Sequence, residues 1–165
     1  MKNIIKTVII LLSLAFISNN SIAQPYYKIP GTSTGNFSAG GINIAVTKIN
    51  PASPGMCGLD AAITYRVIST NGSFIFSFNM PISGIKLYGT TNSAGSQVQI
   101  IVNGTPYVLQ PSNLSSYQSC DANYPAGFIS AGYFMGAAGM LTIFEPGITQ
   151  IEVKNIGSVP WYFNA

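Results

Sequence analysis

Hydrophobic residues recur at every second position in several short runs of this chain, which is the pattern of half-buried β-strands. The clearest run is residues 73–78, where Phe74, Phe76 and Phe78 share one face. No window shows a convincing helical period of 3.6 residues. Further β-prone runs occupy residues 61–69, 82–88, 97–102, 105–109, 140–144, 148–153 and 159–163. The pattern predicts an all-β fold, an antiparallel β-sandwich of the jelly-roll or Ig-like kind.

Turn residues separate these runs. Asn71-Gly72 and Asn103-Gly104 each predict a tight hairpin turn, since both positions of such a turn need positive φ. Residues 36–49 are either one long strand or a hairpin bent at Gly40-Gly41. Proline and glycine also predict breaks after residue 78 (at Pro81) and between residues 144 and 148 (at Pro146-Gly147).

The first 23 residues have the composition of a secretory signal peptide. Lys2 and Lys6 precede the apolar run of residues 7–17, and Ser21 and Ala23 are the small residues before the expected cleavage point. The apolar run is too short to span a bilayer. We therefore expect residues 1–23 to be removed and residues 24–165 to form a single exported domain, either periplasmic or fully extracellular.

Residues 126–144 contain no charge and could suggest a membrane helix, with Gly132 and Gly136 in a G-x-x-x-G pattern. Four glycines, the Glu145-Pro146 pair that follows and the lack of flanking Lys or Arg argue against that interpretation. Two strands joined by a glycine-rich loop explain the segment equally well. We expect no stable membrane span.

Charge and histidine content exclude several functional classes. Residues 24–165 carry five basic and four acidic side chains, a net charge of +1, which gives no electrostatic footprint for nucleic acid. The chain has no histidine, which excludes Ser-His-Asp and Cys-His catalysis and imidazole zinc sites. Asp60, Asp121, Glu145 and Glu152 have no paired spacing of the kind glycoside hydrolysis needs. We expect no catalytic residues, no metal and no cofactor.

Two cysteines remain in the exported segment, Cys57 and Cys120. An even pair in a small exported domain most simply forms one disulfide, and two buried free thiols are the alternative. The two cysteines are 63 positions apart. A disulfide that closes a loop of this length would stabilise the fold by roughly 4 kcal/mol in the chain-entropy model.

Four asparagines begin N-x-S/T sequons: Asn36, Asn71, Asn103 and Asn113. Two of them are the first residues of the predicted Asn-Gly turns, so turn chemistry explains them without a glycan.

Tyrosine and amide side chains cluster near the second cysteine. They are Tyr117, Gln118, Asn123, Tyr124 and Tyr133. Amphipathic rings and amides on a loop pinned by a disulfide would suit a sugar or a protein surface. Alternatively, these tyrosines only cover the core of a chain that has few charges. We predict these residues as the ligand-binding surface.

From residue 74 onwards the chain resembles a β-sandwich adhesion-like module of exported and surface proteins of gliding-type (Bacteroidetes-like) bacteria. The similar segments are FIFSFNMPISGIKLYG (74–89), QVQIIVNGTPYVLQPSNLSSY (97–117), GITQIEVKN (147–155) and WYF (161–163). The resemblance implies adhesion or binding and supplies no ligand.

The predicted function is therefore a secreted, non-catalytic binding or adhesion module with an extracellular glycan or surface protein as its partner. The alternative is an accessory glycan-binding domain that works with extracellular polysaccharide hydrolases. A small glycosidase or esterase of an unrecognised kind is a third, weaker possibility.

Overall fold

The structure is a computed structural model, and it describes residues 29, 35–49, 66–68, 71–90, 96–115, 126–136, 139–159 and 161–165. The strands are β1 (Gly35–Ala39), β2 (Ile42–Ile49), β3 (Arg66–Ile68), β4 (Ser73–Thr90), β5 (Gln97–Val102), β6 (Thr105–Tyr107), β7 (Leu114–Ser115), β8 (Phe128–Ser130), β9 (Tyr133–Met135), β10 (Gly139–Asn155) and β11 (Trp161–Asn164). A short 3₁₀ helix, Pro111–Asn113, lies between β6 and β7.

All pairings between the described strands are antiparallel, in the order β1-β2-β4-β10-β5-β9-β8. The remaining strands β3, β6, β7 and β11 are attached beside this path. This confirms the predicted all-β, antiparallel class.

The long strands β4 and β10 pair with each other, and the two halves of each strand belong to different layers. The first half of β4 and the second half of β10 lie between β2 and β5. The second half of β4 pairs with β11, and the first half of β10 pairs with β7. The sheet therefore continues through two strands from one layer into the other.

An irregularity in the pairing of the two long strands marks the change of layer, and because bulged strands bend we call this place the bend. The register of β4 and β10 shifts between Phe144 and Ile148 and again before Gln150. Proline lacks the N–H for a ladder hydrogen bond, and glycine accepts the positive φ that a bulge often needs; Gly147 has φ 79°. The predicted strand breaks at Pro81 and at Pro146-Gly147 are therefore wrong, because both sites lie within continuous strands.

Asn103, in the turn between β5 and β6, makes hydrogen bonds to the residues of β10 at this bend. Its Oδ1 accepts hydrogen bonds from Thr149 N (2.9 Å), Gln150 N (3.0 Å) and Thr149 Oγ1 (3.1 Å), and its Nδ2 donates to Gly147 O (3.0 Å). Its backbone N also donates to Gln150 O at 2.9 Å. We call this set of bonds the Asn103 clamp.

The predicted turn at Asn103-Gly104 forms, and residues 36–49 adopt the second of the two alternatives, a hairpin. Gly40 and Gly41 both have positive φ and join β1 to β2. Asn103 (φ 48°) and Gly104 (φ 79°) join β5 to β6, with Val102 opposite Thr105.

The predicted hairpin across Asn71-Gly72 is wrong. Asn71 has the expected positive φ, 58°, but β3 pairs with β11, and the start of β4 pairs with β2 and β10. The turn residues set the local conformation of the chain and do not choose the partner of the next strand.

Aromatic side chains from different strands fill the space between the layers. Phe163 of β11 meets Phe74 and Phe76 of β4 edge to face, with ring centroids 5.6 and 6.1 Å apart. Trp161 stacks on Phe163 at 5.2 Å and lies 5.4 Å from Phe134 of β9. Phe163 pairs through its backbone with the second half of β4, while its ring meets the first half of that strand, and Trp161 reaches β9, with which β11 has no pairing among the described strands. Side-chain contacts of this kind across the layers are the packing of a sandwich.

Gly89 makes room for the indole ring in this core. A Cβ at Gly89 would lie 1.7 Å from Cζ2 of Trp161, inside any permitted contact distance. The indole Nε1 is buried, and none of the residues that the structure describes accepts a hydrogen bond from it. The close fit of a glycine backbone against the ring therefore fixes how β11 lies on β4.

The described part of residues 126–144 is made of strands. β8 and β9 form a hairpin whose turn residues, Ala131 and Gly132, have positive φ, and β10 begins at Gly139. Among the residues that the structure describes, no helix is long and apolar enough to cross a bilayer. Residues 1–23 lie outside the described residues, so the signal peptide stays a prediction.

Candidate functional site

Most of the ligand-binding surface predicted from the sequence lies outside the described residues. This holds for Tyr117, Gln118, Asn123 and Tyr124, as it does for Cys57 and Cys120. Tyr133 is described: it is half-buried at the start of β9, opposite Ser130. The disulfide and the tyrosine-rich contact surface therefore remain predictions.

An open groove of about 690 Å³ lies elsewhere, over the hairpin of β1 and β2 and the first half of β4. Three consecutive residues from each strand line it: 36–38, 43–45 and 77–79. We call this the β1–β2–β4 groove. It is positioned by the Gly40-Gly41 turn, which sets the register of β1 on β2, and by the pairing of β2 with β4.

The strand register arranges the lining residues in three rows across the sheet. Asn36 is opposite Ala45, which is opposite Ser77; two residues along, Ser38 is opposite Asn43. Asn36, Ser38, Asn43 and Ala45 are exposed. Neighbouring strands are about 4.8 Å apart, so the polar side chains stand in closely spaced rows.

The side chains of the middle row point to the opposite face of the sheet, toward the core. Phe37 is opposite Ile44, which is opposite Phe78. Ile44 and Phe78 are buried in the core, and Phe37 packs against it. Because side chains alternate across a strand, the residues on either side of this row face outward. The lining of the groove thus combines outward-facing polar side chains with the apolar row that packs on the core.

Two hydrogen bonds order side chains at the groove. Asn43 N donates to Asn79 Oδ1 at 2.7 Å, which holds the Asn79 amide beside β2. Gln150 Nε2 donates to Ser77 Oγ at 3.3 Å. The second bond ties the groove to the Asn103 clamp, since that clamp binds the backbone N of Gln150.

The remaining polar side chains of the groove are available to a ligand. Within the described part of the chain, the side chains of Asn36, Ser38 and Asn43 make no hydrogen bond. Amides and hydroxyls both donate and accept hydrogen bonds, so they can match a partner of the same dual character.

The groove carries no charge of its own. None of its nine lining residues is ionisable. Two charged residues occupy neighbouring register positions outside the lining set: Lys48 of β2, opposite Phe74, and Glu152 of β10, opposite Ile75. A ligand that depends on ion pairing would find no partner in this lining.

Sequence reasoning missed this groove because its residues come from segments far apart in the chain. The alternation of small polar residues in 36–45 and 77–79 is a visible signal, yet it gives no indication that β2 pairs with β4.

The other described candidates do not assemble into a second site. Glu145 and Glu152 both lie on β10, the first near the bend and the second in the far half. Within the described ranges, no three His, Cys, Asp or Glu side chains come together as a metal site would require.

Asn103 and Asn113, two of the sequon asparagines, have structural roles. Asn103 forms the clamp described above. Asn113 Nδ2 donates to Thr142 O (2.9 Å), and its Oδ1 accepts from Gln110 N (2.8 Å). Both side chains are engaged within the protein, as turn chemistry predicts for Asn103.

No protein-family model matches the chain, and comparison with curated proteins and with solved structures found no match. The resemblance to adhesion-like modules therefore stays a prediction.

Proposed function

We propose that the chain is an exported, non-catalytic binding or adhesion module. The observation that supports this most directly is the β1–β2–β4 groove, an open and uncharged surface on the sheet that carries amides and hydroxyls beside apolar side chains. Binding sites are typically concave, with a few fixed polar groups on a preformed scaffold. Export is supported by the composition of residues 1–23.

The absence of histidine and the unpaired spacing of the four acids also support a binding role over catalysis. The groove lining contains amides and hydroxyls but no carboxylate or lysine. Such a set can orient a ligand by hydrogen bonds, and it lacks an ordinary general acid or base.

The test is adhesion of intact bacterial cells to a surface coated with the purified protein. Retention above that on an albumin-coated surface is expected. Pre-treatment of the cells with periodate, which destroys vicinal diols, or with protease then shows which class of partner is bound. Retention equal to that on albumin for all cells tested would overturn the proposal, as would release of sugar or acid products by the purified protein.

A further inference from the structure

The outer rows of the β1–β2–β4 groove have a composition that favours one class of ligand. Five of the six outward-facing lining residues are amides or hydroxyls: Asn36, Ser38, Asn43, Ser77 and Asn79. Each such group can both donate and accept a hydrogen bond. Sugar hydroxyls have the same dual character, so a neutral sugar can satisfy these groups in several orientations.

The sixth outward residue of the groove is small. Ala45 is exposed at the centre of the row, between Asn36 and Ser77, and has no side chain beyond Cβ. Larger residues at this position would fill the space above the sheet. The small centre with polar groups around it leaves room for a ring-shaped ligand to lie against the backbone.

We propose that the β1–β2–β4 groove is a binding site for a neutral glycan. This inference rests on the proposed function and deepens it, because it names the ligand class and places the contact on this sheet rather than on the tyrosine-rich loop.

The competing ligand classes fit the lining less well. An anionic ligand would need Lys or Arg, and a cationic one would need carboxylates; the nine lining residues include neither. An extended peptide would gain most from the backbone of an edge strand, as in β-augmentation. Such pairing would use the free edge of β1, which ends the described strand order, whereas the face of the groove offers side-chain amides and hydroxyls spread over three strands.

The test begins with a glycan array of neutral and anionic oligosaccharides and the purified protein. The best neutral ligand is then titrated by calorimetry against three variants. Ala45→Lys fills the groove centre, Asn43→Ala removes one amide, and Thr47→Lys is the matched control. Thr47 is exposed on the same strand and the same face, two residues beyond Ala45 and outside the lining set.

We expect Ala45→Lys to weaken binding at least tenfold, since the side chain occupies the ligand's space. Asn43→Ala should weaken it roughly fivefold, the effect of losing one or two hydrogen bonds. Thr47→Lys should leave the affinity unchanged. Equal melting temperatures of the variants and the parent would show that the losses arise in the groove.

Three results would overturn the inference and leave the proposed function standing. They are neutral-glycan binding that Ala45→Lys does not affect, binding of anionic glycans only, and cell adhesion that protease abolishes and periodate does not. Failure of both the array and the adhesion test would overturn the proposed function itself.

Discussion

Replacing Asn103 by alanine tests whether the clamp holds the bend between the layers. The change removes an acceptor shared by two backbone N–H groups and the Thr149 hydroxyl, and a donor to Gly147 O. The bonds are exposed, so water replaces part of them; the loss is about 1–2 kcal/mol in total. Alanine at a φ of 48° adds about 1 kcal/mol of backbone strain. We expect a destabilisation of about 2–3 kcal/mol.

Urea unfolding followed by tryptophan fluorescence is a suitable assay, because the chain has a single tryptophan, Trp161, and it is fully buried. The free energy of unfolding should fall with little change in the denaturant slope.

Three further variants separate the contributions. Asn103→Gly relieves the backbone strain and loses only the hydrogen bonds. Asn103→Asp keeps the acceptor oxygen and loses the donor to Gly147, so it should be milder than alanine. Asn71→Ala is the matched control: Asn71 is exposed with φ 58°, and no hydrogen bond of its side chain is found in the described part of the structure. If Asn103→Ala destabilises no more than Asn71→Ala, the clamp contributes nothing and the argument is refuted.

Four other predictions concern the core and the export of the chain. Gly89→Ala should destabilise the protein by about 3 kcal/mol or more or prevent folding, because the new Cβ collides with the indole; a stable variant with native fluorescence would contradict this. Trp161→Phe should cost less than about 2 kcal/mol, since it removes the buried, unpaired Nε1 along with some packing; a loss as large as that of Trp161→Ala would show otherwise. Non-reducing peptide mapping should find Cys57 linked to Cys120, with a lower melting temperature after reduction, whereas free alkylation of both in the native protein would argue against the bridge. Mass analysis of the exported chain should give Gln24 as its first residue, and retention of residues 1–23 would count against secretion.

The sequence predicted local features of the fold well where one dipeptide determines the geometry. Asn103-Gly104 and Gly40-Gly41 each supply two consecutive residues that accept positive φ, and the strands on either side of each turn pair with each other. The same kind of signal at Asn71-Gly72 gave the local conformation but no hairpin. The alternation of Phe74, Phe76 and Phe78 identified one face of the core, and all three are buried.

The strand breaks were harder to predict because proline and glycine serve turns and bulges alike. Pro81 and Pro146-Gly147 lie within β4 and β10, where the partner strand continues past them. Only the pairing of two segments about 65 residues apart distinguishes a bulge from a turn, and periodicity does not contain that information.

The candidate site was missed for a related reason. Residues 117–133 are distinguished in the sequence by tyrosines and a cysteine. The exposed residues of the groove, in contrast, are small or amide side chains of a kind that is common on any exposed strand. These residues form one surface only because the register of β1, β2 and β4 brings residue 36 beside residue 45 and residue 45 beside residue 77.

The position of β11 has a consequence for biosynthesis. Phe163 and Trp161 contact strands that precede them by tens of residues, and the carbonyl of Ala165 accepts a hydrogen bond from Ile29 N. The core therefore cannot close while the C-terminal residues are still inside the ribosome. Contacts of such large sequence separation also form slowly. In a chain proposed to be exported, the preceding strands would thus lack these core partners until residues 161–165 emerge, and an unfolded chain is the state that can be threaded across a membrane.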